Sequence, residues 1–197
     1  MDAKPTNRQA HRTQMALKTA FIELLQELNY EAITIENIAD RANVGRSTFY
    51  RHYNSKPDLL LSWHEDIFKG LDLGHYTPLQ WLSDEPPAQL TAFFERMRNS
   101  RMPLHNFGKD GAYVLRRIGG IFTRQIEVNL GQSFPDKKID IPLGLVAQSI
   151  AGLYVWIFQW WITEHPPYTA EQMAVYTHRM MRGIISTATN REGHTTD

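Results

Sequence analysis

The chain has 197 residues, 21 basic and 21 acidic, with 42% hydrophobic residues and no cysteine. The hydrophobic share and the five Trp suit a packed globular chain rather than a disordered one. Zero cysteines exclude a disulfide framework, thiolate metal sites and a cysteine nucleophile, and the length allows one small domain plus one ordinary one.

Residues 1–16 are polar and lack the apolar stretch of a secretory signal, so an exported protein is not expected. A first helix is predicted from Arg8 to Leu28, where Leu17, Phe21, Leu24, Leu25 and Leu28 recur at helical spacing. Asn29 follows as a terminator suited to the left-handed backbone. Thr34 reads as the N-cap of a short helix through Ile35, Ile38 and Ala39 to Arg41. Asn43 can take a left-handed turn and Val44 can plug the core. A second short helix then starts at Gly45 or Arg46 and ends at Tyr50 or Arg51. On it Arg46, Ser47 and Tyr50 share one face by i, i+3 and i, i+4 spacing, and Phe49 points the other way, inward. Two short helices about three residues apart form a helix-turn-helix, the second of a length suited to a major groove.

Ser55 caps a longer helix with Pro57 in its first turn and an apolar stripe of Leu59, Leu60, Trp63, Ile67 and Leu71. Gly74, Pro78, Pro86 and Pro87 punctuate residues 70–87, which read as a loop and domain boundary. Helices are expected at about 88–101, 110–131 and 141–164, and a last one at 170–188, capped by Thr169 with Glu171 and Gln172 in its first turn. The sequence thus describes an all-α chain. Residues 1–70 hold a helix-turn-helix with its connecting helix, 71–190 a second helical domain, and 191–197 a disordered tail. The stretch Ile141 to Ile162 has no formal charge over 22 residues. That length can span a bilayer, but Pro142, Gln148, Ser149 and Gln159 make it a buried or interface helix, not a membrane span.

Charge is unevenly spread. Lys4, Arg8, Arg12 and Lys18 form a basic block without acids, Glu23 to Asp40 hold five acids without a base, and Arg41, Arg46, Arg51 and Lys56 form a second basic block. Folded together, the two basic blocks would face phosphates while the acids face away.

With these residues placed, the stretch Arg12 to Leu61 resembles the TetR family of bacterial transcriptional regulators. The resemblance rests on the amphipathic first helix, the "ITIENIADRANV" helix and turn, the "RSTFYRHYNSK" segment and the Ser-Lys start of the fourth helix. The ending "IAGLYVWIFQWW…YTAEQM" is similar to a branch of that family with a Trp-rich penultimate helix. The resemblance implies that Arg46, Ser47, Thr48 and Tyr50 reach bases or phosphates and that Tyr50 and Lys56 contact phosphate. Lys56 would do so with help from a helix dipole and free backbone N–H groups. Thr34, Arg51 and His52 complete the expected DNA-facing set, and Tyr53 is expected to pack instead. For the helical domain at residues 71–190 the resemblance implies regulation and dimerisation. Three positions depart from the pattern. Asn29 and Asn43 replace Gly, and both can adopt the left-handed backbone. Gly45 replaces a capping Ser or Thr, which weakens the order of the second helix by roughly a few tenths of a kcal/mol. Glu36 stands where some relatives carry a DNA-contacting Arg and is left out of the site.

Other chemistry finds little support. His64-Glu65 begins like a zincin motif, but Phe68 stands where the second His is required. His105, His165 and His178 read as surface or network histidines, so no metal site is expected. No phosphate-binding Gly loop follows from Gly119-Gly120, and no Gly-flanked serine elbow is present. Neither a catalytic residue nor a cofactor is expected. Phe93, Phe94, Met97, Met102, Phe107, Tyr113, Phe122 and Trp156 are candidate lining of an effector pocket. Trp160, Trp161, Met173, Tyr176, Met180 and Ile184, on the last two helices, are the candidate interface of a homodimer. Trp160 is assigned to the main buried stripe with Leu153, Trp156 and Ile157, and Trp161 to the partner's side.

The expected protein is a cytoplasmic homodimeric repressor without a membrane partner. Its recognition helices would enter successive major grooves of a roughly palindromic double-stranded operator, about 34–36 Å apart. A small-molecule effector would change that spacing through the helix that begins at Ser55. The alternative is a coregulator or activator whose C-terminal domain docks a protein.

Overall fold

The computed structural model describes residues 7–99, 107–135 and 141–189, and every regular element among them is helical. The chain divides into two compact units, Met1–Asp66 with Arg101–Val114, and Ile67–Ser100 with Leu115–Asp197. The single boundary expected near residue 70 is therefore incomplete: Phe107–Val114 groups with the first unit. The reason is local packing, because the Phe107 ring lies 5.2 Å from that of Tyr30 and the Tyr30 hydroxyl bonds Asp110.

In the first unit, α1 (Asn7–Glu27) buries Leu17, Ala20, Phe21, Leu24 and Leu25. Leu28, counted on that stripe from the sequence, lies past the helix end and is exposed. Asn29 does not turn left-handed. Its backbone is extended (φ −65°, ψ 142°) and leads into a 3-10 turn, Tyr30–Ala32, which the sequence did not foretell. Thr34 opens α2 (Ile35–Arg41) through a reciprocal box: its hydroxyl accepts from the Asn37 N–H while the Asn37 side-chain oxygen accepts from the Thr34 N–H. After α3 (Arg46–His52), Ser55 Oγ accepts the Asp58 N–H in the first turn of α4 (Lys56–Phe68). Ile38, Phe49, Leu59 and Leu60 are fully buried, so α1 to α4 share one core.

The second unit holds a piece that was read as loop. Thr77 and Gln80 form another capping box around Pro78 at the start of α5 (Pro78–Leu82). Trp81 on that short helix is completely buried, its indole N–H donating to Asn129 Oδ1 at 2.5 Å, and Asn129 in turn donates to the Gly74 carbonyl. Five residues are too few to show a helical period, which is why only the Pro and Gly punctuation was legible. Around it lie α6 (Ala88–Asn99), the greater part of α7 (Gly108–Ser133), α8 (Leu143–Glu164) and α9 (Ala170–Thr189). Thr169 and Gln172 cap α9 as expected. Phe68 sits among the rings of Phe93, Phe122 and Phe158, with centroids 5.1–5.4 Å away.

By length and composition α8 could cross a membrane, but Val146, Ala147, Ile150, Ala151, Tyr154, Phe158 and Trp161 form a buried face on it. The assignment of the tryptophans is reversed. Trp161 is buried, whereas Trp160 and Trp156 are exposed, 44% and 70%. Adjacent residues diverge by about 100° on a helix, so the buried series that ends 154, 158, 161 turns 156 and 160 outward. Met102, His105 and the tail from residue 190 lie outside the described residues.

Candidate nucleic-acid interface

The two short helices are fixed from behind. The turn between them runs through Asn43, whose φ of +52° is the left-handed conformation that Asn tolerates better than branched residues. The Val44 N–H donates back to the Ala39 carbonyl at 2.9 Å and closes the turn. Gly45 caps α3 with its carbonyl only, since no side chain is there to help. Phe49 therefore carries the anchoring. It is wholly buried, and its ring meets that of Tyr53 at 5.9 Å and that of Tyr50 at 5.6 Å.

With Phe49 inward, Arg46, Ser47, Tyr50 and Arg51 stand exposed, and Thr48 and His52 are half-buried. Thr34 is exposed at the mouth of α2, its hydroxyl engaged in the cap. Burial and then the charge of Arg51 hold the His52 imidazole below its ordinary range.

Not every base in the two basic blocks is available. Arg41 makes a two-pronged bond to Glu27, at 2.9 and 2.7 Å, and lies 3.5 Å from Glu23. Lys18 pairs with Asp66 and donates to the Ser62 carbonyl. Some of the acids expected to face away instead neutralise their neighbours. Arg8, Arg12, Arg46 and Arg51 remain exposed.

Lys56 is held in a different way. Its ammonium donates to the carbonyls of Tyr30 and Ile33, both at 2.8 Å, and rests 3.9 Å above the Tyr30 ring. Burial lowers its pKa, while Asp110 and Glu31 work to raise it. Two of its three N–H groups are thus committed inside the unit and one is left for an anion. Neither Tyr30 nor Asp110 was singled out from the sequence. No residue-level signal marked them, since their partnership spans eighty positions.

Residues 18–62 match the family described as "Bacterial regulatory proteins, tetR family". An uncharacterised HTH-type transcriptional regulator of Bacillus subtilis, YxbF, is 43% identical over 58 residues, which are 29% of this chain but only 15% of that protein. Over 89% of this chain and 96% of the other, the fold is similar to a TetR transcriptional regulator from Streptococcus agalactiae, at 28% identity and a TM-score of 0.50. Residues 18–62 are thus similar to the TetR-family helix-turn-helix module, and the fold of the whole chain is similar to that of TetR-family regulators. The Thermus thermophilus FadR, a TetR-family transcriptional repressor solved with lauroyl-CoA, shares the fold at 17% identity and a TM-score of 0.51, over 93% of this chain and 99% of that one.

The helix-turn-helix face lies on the first unit, and the remaining candidate residues are divided between the two units. Phe93, Phe94, Met97 and Phe122 gather in the buried interior of the second unit. Phe107 and Tyr113 do not join them, because both belong to the first unit, and Tyr113 and Trp156 are exposed. Of the six candidate interface residues, Trp160, Tyr176 and Met180 are exposed and Ile184 is half-buried, while Met173 and Trp161 face the core. Among the described residues no group of three or more His, Asp or Glu could hold a metal ion.

Proposed function

We propose that the protein is a DNA-binding transcriptional repressor that acts as a cytoplasmic homodimer, binding double-stranded DNA by binding chemistry alone and without catalysis. One observation carries the reading. A seven-residue helix is anchored by a fully buried Phe49 and turns Arg46, Ser47, Tyr50 and Arg51 outward together. A helix so presented can enter the major groove, where an Arg reads guanine with two bonds and neighbouring hydroxyls and cations hold phosphates.

The dimer is supported by the exposed apolar residues of α8 and α9. Trp156, Trp160, Tyr176 and Met180 stand exposed on these two helices and are apolar side chains that a partner would cover. A two-fold axis there would pair the surface with its own copy and present two recognition helices to one roughly palindromic site.

Release by a small-molecule effector rests on the second unit. Phe93, Phe94, Met97 and Phe122, with Phe68 and Phe158, make an aromatic interior suited to an apolar molecule. The FadR relative holds lauroyl-CoA, which supports a ligand of that general character without identifying this one.

Selection from a randomised duplex library tests the proposal. The purified protein should enrich an inverted repeat, and binding should weaken steeply with salt. Enrichment of no motif, with binding equal on all sequences, would overturn operator recognition.

A further inference from the structure

The Lys56 ammonium is held by three contacts within the first unit, and its constraint is traceable to a residue far along the chain. Two carbonyls hold it, both from the short turn after α1, and the Tyr30 ring lies beneath it. That turn is itself held. The Tyr30 hydroxyl donates to Asp110 Oδ2 at 2.5 Å in the first turn of α7, and the Phe107 ring meets the Tyr30 ring edge-on at 5.2 Å. A glycine precedes Asp110 by two residues, at the start of α7. Gly108 has φ +51°, and a side chain added there would meet the Glu31 carboxylate at 2.6 Å. The left-handed backbone there favours Gly, while the Glu31 carboxylate is the far end of a flexible side chain that can shift.

The arrangement is more than packing. A buried phenol bonded to a carboxylate is among the stronger neutral-to-charged hydrogen bonds, and it fixes the one ring that supports the ammonium. Asp110 also faces Lys56 electrostatically, ahead of Glu31. α7 continues without interruption from Gly108 to Ser133, so whatever displaces its first turn displaces the support of Lys56.

We propose that Tyr30 and Asp110 are positioning residues for Lys56, so that the first turn of α7 sets the strength of that lysine's contact with a DNA phosphate. The inference rests on the DNA-binding function proposed above. Tyr30→Phe removes only the hydroxyl and leaves the ring and both carbonyls. Asp110→Ala removes the acceptor, and Asp110→Asn keeps an acceptor oxygen while removing the charge.

The test is a double-mutant cycle on a short fluorescent duplex of mixed sequence, which suffices because a phosphate contact needs no operator. Lys56→Met should weaken binding by about three- to tenfold and flatten the salt dependence by about one phosphate. Tyr30→Phe and Asp110→Ala should do part of the same in the native background and nothing further beside Lys56→Met. Asp110→Asn should restore most of what Asp110→Ala loses. Effects that add in full beside Lys56→Met would mean the bond merely stabilises the fold and would overturn the proposal. The same holds if all variants melt earlier yet bind DNA with an unchanged salt slope. Failure of the unaltered protein to bind the duplex at any salt would instead remove the DNA-binding reading itself, and this inference with it.

Discussion

The exposed guanidinium of Arg46 and the imidazole of His64, its pKa lowered by burial, are two single-residue features with separate tests. Arg46 is exposed on the first turn of α3, clear of the internal ion pairs that occupy Arg41 and Lys18. Arg46→Ala should cost roughly 1–3 kcal/mol at one position of the selected motif and relax the preference there. An unchanged motif from the variant would remove Arg46 from readout. His64 differs in kind. It is buried, Leu60's carbonyl accepts from its Nδ1 at 2.8 Å in the tautomer protonated there, and burial pushes its pKa down to about 4. In the unfolded chain it titrates near 6.5. The unfolded state therefore binds the proton first, and stability fully present above that value drains away as pH falls toward 4, by about 3 kcal/mol in all. Thermal melting from neutral to mildly acid pH should show this loss, and His64→Leu should flatten it. A variant with the same slope as the parent would place the acid sensitivity elsewhere.

At the scale of the helix, α8 makes the sharper prediction, since its two adjacent tryptophans do different work. Trp161 is buried, its indole N–H donating to the Tyr168 carbonyl, and its ring lies 5.3 Å from Phe94. Trp161→Ala should cost roughly 3–5 kcal/mol of fold stability. Trp160→Ala should leave the melting of an isolated subunit nearly unchanged and weaken association instead. Sedimentation and melting of the two variants at several concentrations separate these outcomes, and equal early melting of both would put Trp160 in the core. The sequence could not make this choice. A helix apolar almost all the way round has no period to mark its buried face, and the residues packed against it, Met181 on α9, Phe68 on α4 and Phe93 and Phe94 on α6, decide that 154, 158 and 161 point inward. Where one face was polar, the reading succeeded. α1 came within a residue of its observed bounds, and Phe49 was placed inward by its offset from Arg46, Ser47 and Tyr50. Asn29 failed for another reason: a residue able to turn left-handed need not do so, and a 3-10 turn absorbed the chain reversal. Tyr30, Asp110 and the ion pairs of Arg41 and Lys18 were illegible because each depends on which distant segments fold together.

For the whole molecule, zero formal net charge supplies no overall attraction to DNA, so on the proposed reading attraction comes from local cations, Arg8, Arg12, Arg46, Arg51 and Lys56. A single copy of such a small patch gives weak, salt-sensitive binding. Joining two copies turns the second half-site contact into an intramolecular step at millimolar effective concentration, which multiplies affinity by about 10²–10⁴ without any new contact. In the proposed dimer, function at the operator depends on the exposed residues of α8 and α9 as much as on α3. Trp156 and Met180 are the residues to test, because both are exposed, at 70% and 46%, and neither holds its own subunit together. Replacing both with Lys sets like charges against each other across a two-fold axis, where each change is felt twice. The unaltered chain should sediment near twice 22.8 kDa, and the double variant near 22.8 kDa with its helical content intact. Binding to a single half-site should be equal for both, while binding to the full inverted repeat should fall by the avidity factor in the variant alone. A variant that stays dimeric would move the interface off these two helices. A monomeric variant that holds the full repeat as tightly as the parent would mean that one subunit suffices for recognition.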